Sequence, residues 1–233
     1  MGLKEDFAKK NTVPAIEQVS KNGLFQIKMK DSSNMRILFV GNSITCHEEK
    51  PEIGWYGSWG MAASSRERDY VHQTVSMLED KYENVSFGIA QLARWELTFD
   101  EECEHWKTDY QEVIDFNADI VVIRMGENIP EPQIAYAKNY IKDMIAFFGN
   151  GCKQVVVTDC FWKREPLDNL LREICEEESY TFCCISDLQN DTRTMALDEY
   201  EHEGVAIHPS DYGMKLIAER ISGKIKGKEK LLK

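Results

Sequence analysis

The chain has 233 residues, of which 42% are hydrophobic, and its formal net charge is −12. This length and apolar content predict one α/β domain with a sizeable core. The negative charge argues against nucleic acid as a partner, because phosphate backbones would be repelled, and against docking on anionic membranes. The sequence contains no run of about 20 apolar residues, the length that a transmembrane helix requires.

Residues 1–34 are predicted to form an N-terminal extension, and residues 35–233 the main domain. Within the extension, segments 16–19 and 24–27 flank Asn22 and Gly23, a dipeptide typical of tight β-hairpin turns. We interpret the hairpin either as a ribbon packed on the main domain or as an arm that makes a homo-oligomer. The first residues are charged and lack the apolar segment of a signal peptide, which predicts a cytoplasmic protein.

Apolar runs and helical patterns alternate from residue 36 onward. The runs are apolar throughout, as expected of parallel strands that are covered on both faces. Five runs with helical crossovers predict a three-layer α/β/α sandwich around a central five-stranded parallel sheet. The predicted strands are 36–40, 85–90, 119–124, 154–158 and 180–185.

Three of the segments between or after these strands have apolar residues at helical spacing. Pro130 and Pro132 mark the start of the second of these helices, and Gly149 marks its end. The apolar stripes are Val71, Val75, Leu78 and Tyr82 in the first helix, Ile134, Ala137, Ile141, Ile145 and Phe148 in the second, and Met214, Ile217 and Ile221 in the third.

A serine directly follows the first strand of the main domain, in the segment GNSIT at 41–45. Ligands of open α/β sheets bind at the carboxyl ends of the strands, so Ser43 occupies a favourable position for chemistry. A serine hydroxyl is a weak nucleophile and needs an adjacent base. His208, just before the third helix, is the candidate base, and the pair indicates nucleophilic acyl transfer.

Three segments resemble the sequence blocks of the SGNH/GDSL hydrolases, and they occur in that family's order. The segment 41–45 resembles the nucleophile block, with Asn42 in place of the usual aspartate. The segment 119–128, which ends in GEN, resembles the third block, and His208 with the helix after it resembles the last. The resemblance covers 36–225. It implies the flavodoxin-like fold of that family and a serine hydrolase that acts on ester bonds without a cofactor.

The resemblance also implies roles for individual residues. Ser43 would be the nucleophile, His208 the general base and Asn128 the side-chain donor to the oxyanion. The backbone N–H of Ser43 would be a second donor. The family takes a further donor from a glycine after its second strand, where this chain has no glycine; we assign that backbone N–H to Arg94, with a surface ion pair as the equal alternative.

The third member of the usual triad is missing. The family carries an aspartate three residues before the histidine, and Val205 occupies that position here. Either a backbone carbonyl accepts the histidine Nδ1–H, which would give a Ser-His dyad, or a carboxylate such as Glu203 reaches the ring. The carbonyl is the favoured alternative.

The loop 51–61 contains Trp55 and Trp59 among glycines. Their aromatic faces predict a pocket wall that binds a sugar ring or an acyl chain. The alternative is a long loop anchored to the domain by its own aromatic side chains. Trp162 and Glu127 are assigned to the same substrate pocket.

Together these features predict a hydrolase of a small acyl ester, with an O-acetyl group on a carbohydrate as the favoured substrate. Two alternatives stay open: a lipase- or thioesterase-like hydrolase of longer acyl chains, and a non-catalytic flavodoxin-like protein that binds a ligand. No metal-ligand spacing and no glycine-rich phosphate loop occurs in the sequence, which predicts neither metal nor cofactor.

Overall fold

A computed structural model describes residues 25–30, 35–101 and 106–226. Its strands form one six-stranded sheet in the order β1-β3-β2-β4-β5-β6. Strands β2 to β6 pair in parallel, and β1 pairs antiparallel with β3. The strands are β1 (Phe25–Lys28), β2 (Met35–Gly41), β3 (Val85–Gln91), β4 (Ile120–Arg124), β5 (Gln154–Thr158) and β6 (Thr181–Cys183).

Helices cover the sheet, and short 3₁₀ turns lie between them, at Pro51–Ile53, Arg66–Arg68, Glu131–Tyr136, Ser186–Asn190 and Thr192–Thr194. The described α-helices are α1 (Tyr70–Glu79), α2 (Ala93–Thr98), α3 (Trp106–Asp109), α4 (Gln111–Asp115), α5 (Lys138–Phe148), α6 (Glu165–Glu178), α7 (Glu203–Ala206) and α8 (Asp211–Lys224). Among the described residues, no helix combines the length and the apolar character that a membrane crossing requires.

The central strands are buried on both faces. Every residue of β3, β4 and β5 is buried. Successive side chains of a strand point to opposite faces, so Val121 joins a core with Ile141 of α5, while Val122 joins a second core with Ile217 of α8. The predicted three-layer sandwich with five parallel strands is therefore confirmed.

The sheet differs from the prediction at one edge. Strand β1 comes from the predicted N-terminal extension and adds an antiparallel sixth strand beside β3. The hairpin turn predicted at Asn22 and Gly23 lies outside the described residues, and the division into extension and main domain stays a prediction.

The predicted helices form where the apolar stripes indicated. Helix α1 ends at Glu79, before Tyr82, whose ring is nevertheless buried. The segment that starts near Pro132 begins as a 3₁₀ turn and continues as α5, which Gly149 terminates. Ser210 caps α8 by accepting a hydrogen bond from the Gly213 N–H, which fixes the start of that helix three residues after His208.

The strand order creates a crevice at the carboxyl end of the sheet. The connection after β2 leads to β3 on one side of it, whereas β4 pairs with its other side. Open α/β sheets bind ligands at such a switch point. A side chain at Gly41 would collide with Thr45 and with the Arg124 carbonyl oxygen, so glycine lets the ends of β2 and β4 approach closely.

Candidate active site

Ser43 and His208 meet at this crevice. Ser43 Oγ lies 2.8 Å from His208 Nε2, within hydrogen-bond distance. Ser43 is half-buried, whereas His208 is 8% exposed. The two residues are 165 positions apart in the chain, so the pairing depends on the whole fold.

A tight turn after β2 presents the serine. The backbone N–H groups of Thr45 and Cys46 both donate to the Asn42 carbonyl, at 2.8 and 3.0 Å. The Ser43 carbonyl accepts from the Met61 N–H at 2.9 Å. The turn is therefore fixed on both sides of the serine, once by local hydrogen bonds and once by the following loop.

The second nitrogen of the histidine ring contacts a backbone carbonyl. His208 Nδ1 lies 2.6 Å from the carbonyl oxygen of Gly204, in α7. A carbonyl only accepts hydrogen bonds, so Nδ1 carries the proton and Nε2 is left to accept the Ser43 hydroxyl hydrogen. Glu203 is exposed and does not fill this place, and Val205 is buried. The geometry is that of the favoured carbonyl alternative, and the Glu203 alternative does not fit it.

Trp162 packs against the same ring. The two ring centroids are 5.1 Å apart and nearly perpendicular, at 83°, a favourable edge-to-face arrangement. The Trp162 indole N–H donates to the Ile207 carbonyl at 3.2 Å. Trp162, one of the aromatic residues predicted to line the pocket, thus contacts the histidine.

Burial controls the charge of His208. Desolvation lowers its pKa to about 3, although the Gly204 carbonyl opposes this shift. The imidazole is therefore neutral near pH 7, the form that accepts a proton.

The side chain of Asn128 is held by a glutamate outside the predicted site residues. Asn128 Nδ2 donates to Oε2 of Glu96, a fully buried residue of α2. Glu96 Oε1 accepts from the backbone N–H of Gly126. The Asn42 amide also donates to Glu96, at 3.1 Å to Oε1 and 3.2 Å to Oε2.

A buried ion pair completes this network. Both terminal nitrogens of Arg124 donate to the carboxylate of Glu127, at 2.8 and 2.9 Å. Arg124 also donates to Asn42 Oδ1, and Asn42 Nδ2 donates to Glu127 at 2.6 Å. The Glu127 carboxylate is bound to Arg124 with 5% of its side chain exposed, and its assignment to the substrate pocket stays a prediction.

The two buried glutamates differ in pKa because only Glu127 is in bidentate contact with Arg124. Burial, and then the charge of Glu127, raise the pKa of Glu96 to about 7. Burial would also raise the pKa of Glu127, but the charge and hydrogen bonds of Arg124 outweigh it and lower that pKa. The carboxylate in bidentate contact with Arg124 keeps its charge more easily than its neighbour.

The tryptophans of the loop 51–61 anchor the loop. Trp55 is 2% exposed and packs with Ala62 and Val205, and its indole N–H donates to the His47 carbonyl. Trp55 therefore does not line a pocket, and the alternative of an anchored loop applies to it. Trp59 is half-buried, packs edge-on against Trp55 and donates to the Ala63 carbonyl at 2.8 Å.

Arg94 is exposed and lies in the first turn of α2. One contact brings this turn beside the end of β2, since the Leu92 N–H donates to the Gly41 carbonyl at 2.6 Å. The Ala93 N–H donates to Oε1 of Gln91, the last residue of β3, at 2.7 Å. The role of the Arg94 backbone as an oxyanion donor stays a prediction.

One signal in the sequence pointed to the buried network. Arg124 ends an otherwise apolar run and is followed by Met125, which is typical of a buried cation that needs a carboxylate partner. Glu96 has no comparable signal, because a glutamate in a short helix usually faces solvent. In the part of the chain that the structure describes, no group of three or more His, Cys, Asp or Glu side chains is arranged to hold a metal ion.

Comparison of the sequence with protein-family models and with curated proteins gives no match. Comparison of the structure with solved structures gives several. A family 3 carbohydrate esterase from Clostridium thermocellum is 16% identical, with a TM-score of 0.55, and the match covers 82% of this chain and 94% of that one.

Two further solved structures have similar scores. A protein described as a GDSL-like lipase from Parabacteroides merdae is 16% identical with a TM-score of 0.52, over 83% of this chain and 96% of that one. A two-domain esterase active on acetylated mannans is 14% identical with a TM-score of 0.53, over 83% of this chain and 51% of that one. This chain therefore has the α/β/α fold of the GDSL-like lipases and carbohydrate esterases.

Proposed function

We propose that this protein is a carboxylic ester hydrolase of the SGNH/GDSL superfamily that works through a Ser43-His208 dyad. The observation that carries the proposal is the chain of hydrogen bonds from Ser43 Oγ through the His208 ring to the Gly204 carbonyl. It supplies a nucleophile, a neutral base and a group that fixes the tautomer of that base.

In the acylation step, Ser43 Oγ attacks the ester carbonyl carbon and its proton passes to His208 Nε2. The carbonyl oxygen becomes an oxyanion, which the backbone N–H of Ser43 and the side-chain amide of Asn128 stabilise. The intermediate then collapses: the bond to the alcohol oxygen breaks, and His208 returns the proton to that oxygen.

In the deacylation step, water attacks the acyl carbon and gives a proton to His208 Nε2. The second intermediate expels Ser43 Oγ, which takes the proton back, and the acid leaves. Throughout both steps the Gly204 carbonyl accepts from Nδ1 and stabilises the transient imidazolium. A neutral carbonyl does this less strongly than a carboxylate, so we expect modest turnover.

The favoured substrate is a small acyl ester, an O-acetyl group on a carbohydrate. Two structures of the same fold are described as a carbohydrate esterase and as an esterase active on acetylated mannans. Trp162, half-buried against His208, offers an aromatic surface of the kind that binds a sugar ring. The cytoplasmic location and the homo-oligomer stay predictions from the sequence.

A fluorophosphonate probe and a series of p-nitrophenyl esters test the proposal. We expect the probe to label the wild type and Ser64→Ala, but not Ser43→Ala; Ser64 lies in the same loop region, and its hydroxyl contacts Asp211. Hydrolysis should be fastest with the acetate and slower with each longer chain. A preference for long chains would favour the lipase- or thioesterase-like alternative. Absence of labelling, with equal rates for wild type and Ser43→Ala, would favour the ligand-binding alternative.

A further inference from the structure

Glu96 lies outside the three segments that resemble the hydrolase blocks, yet it contacts two of them. It is fully buried, on α2. Its carboxylate receives hydrogen bonds from Asn42, which follows β2, and from Gly126 and Asn128, which follow β4. One side chain thus connects the segment that carries the nucleophile to the segment that carries the oxyanion donor.

The acceptor capacity of this carboxylate is fully used. A carboxylate has about four lone-pair positions. Oε1 accepts from the Gly126 N–H and the Asn42 amide, and Oε2 accepts from the Asn128 amide and the same Asn42 amide. Such a group holds its donors in one orientation, because any rotation leaves a buried donor without a partner.

We propose that Glu96 is a positioning residue, which fixes the Asn128 side-chain amide and the Gly126 backbone so that the remaining amide hydrogen of Asn128 points at the oxyanion. This inference rests on the proposed esterase function. An amide nitrogen has two hydrogens, of which one is bound to Glu96 and the other is available for the substrate. Preorganised donors of this kind cost no reorganisation when the charge develops.

Asn42 separates the two buried carboxylates. Its Nδ2 donates to Glu96 and Glu127, and its Oδ1 accepts from Arg124. An aspartate there would be a third carboxylate beside a single guanidinium and would offer no hydrogens. Asparagine at position 42 adds no third charge and supplies hydrogens to both carboxylates.

A double-mutant cycle of Glu96→Gln and Asn128→Ala tests the inference. The glutamine is nearly isosteric with glutamate. Its amide nitrogen, however, is a hydrogen-bond donor and so cannot accept a hydrogen bond as the carboxylate oxygen in that place does. We expect kcat to fall about tenfold to hundredfold with KM little changed, within the range for loss of an oxyanion donor. The double variant should be no slower than Asn128→Ala, because Glu96 acts through Asn128.

If Glu96 only stabilises the fold and does not position Asn128, the cycle gives a different result. The effects of the two substitutions on kcat would then multiply, which would overturn the inference. Asp159→Asn is the matched control, since Asp159 is also a buried carboxylate and accepts from the N–H groups of Ile185 and Ser186 and from the Ser186 hydroxyl. We expect that variant to lower Tm and to keep the wild-type kcat.

The outcomes separate this inference from the proposed function. A wild type without Ser43-dependent hydrolysis overturns both. An active wild type whose kcat is unchanged in Glu96→Gln overturns the role of Glu96 alone. In the wild type, the Asn128 side-chain amide should exchange its bonded hydrogen slowly by NMR, and Glu96→Gln should speed that exchange; equal exchange rates would contradict the contact itself.

Discussion

The histidine side and the asparagine side of the site are held by different chemistry. His208 is oriented by an uncharged backbone carbonyl and an aromatic ring, whereas Asn128 is oriented by a buried carboxylate next to an ion pair. The comparison shows that a buried histidine ring can be held without a charged partner, while buried charge lies beneath the neighbouring asparagine. The two sides should therefore respond differently to mutation and to pH.

Removing the histidine should give the largest effect. We expect His208→Ala to lower kcat by about 10⁴-fold or more, because the serine then has no base. The measurement is steady-state hydrolysis of p-nitrophenyl acetate. Glu203→Gln is the control and should keep wild-type kcat, since that side chain is exposed. A loss in Glu203→Gln comparable to that of His208→Ala would mean that a carboxylate does support the ring.

Charge at position 42 should strongly affect the asparagine side. We expect Asn42→Asp to lower the free energy of unfolding by about 3 kcal/mol at pH 8, the usual cost of an uncompensated buried charge. Urea unfolding measures it. The surface substitution Asn139→Asp adds the same charge without burial and should change stability little. Equal stability of both variants would show that the network tolerates a third carboxylate.

The pH profile should identify which side titrates. Glu96, with a pKa of about 7, gains a proton as the pH falls through 7. That proton occupies a lone pair of the carboxylate that otherwise accepts a hydrogen bond from one of its three donor residues. His208, with a pKa of about 3, stays neutral over the same range. We expect kcat/KM to fall about tenfold between pH 8 and pH 6, with Arg124 and Glu127 still paired.

Glu96→Gln removes this titrating group, so its kcat/KM should be low and flat from pH 8 to pH 6. If kcat/KM of the wild type fell only below pH 5, and Glu96→Gln followed the same curve, the titration would belong to the histidine side. The profile is measured at constant ionic strength, because salt screens exposed charges.

The smallest expected effect separates the tryptophans. Trp162→Phe keeps a ring against His208 but loses the hydrogen bond to Ile207, so we expect kcat/KM to fall by a factor of about 3, near the lower end of what a net hydrogen bond contributes. Trp55→Phe should instead lower Tm and leave kcat/KM unchanged, because Trp55 packs inside its loop. The reverse result would restore Trp55 to the substrate pocket.

Much of the fold could be predicted from local patterns. The predicted strand 154–158 matches β5, and the predicted strand 85–90 is one residue shorter than β3. These runs are buried on both faces, so most of their residues are apolar, and that pattern is visible in a short window. The sequence pattern does not place β1 in the sheet, because Gln26, Ile27 and Lys28 are partly or fully exposed and the segment lacks the continuous apolar run of a covered strand.

Hydrophobic periodicity is a local property, so the amino-acid sequence predicts the elements and places Ser43 at the end of a buried strand. What each polar group contacts depends on how the elements pack. Gly204 rather than Glu203 contacts the histidine ring, and the side-chain partners Glu96, Arg124 and Glu127 of Asn42 lie 54, 82 and 85 positions away. The physical reason is that a buried polar group must find its partner wherever packing brings one, and packing joins segments that are distant in the chain.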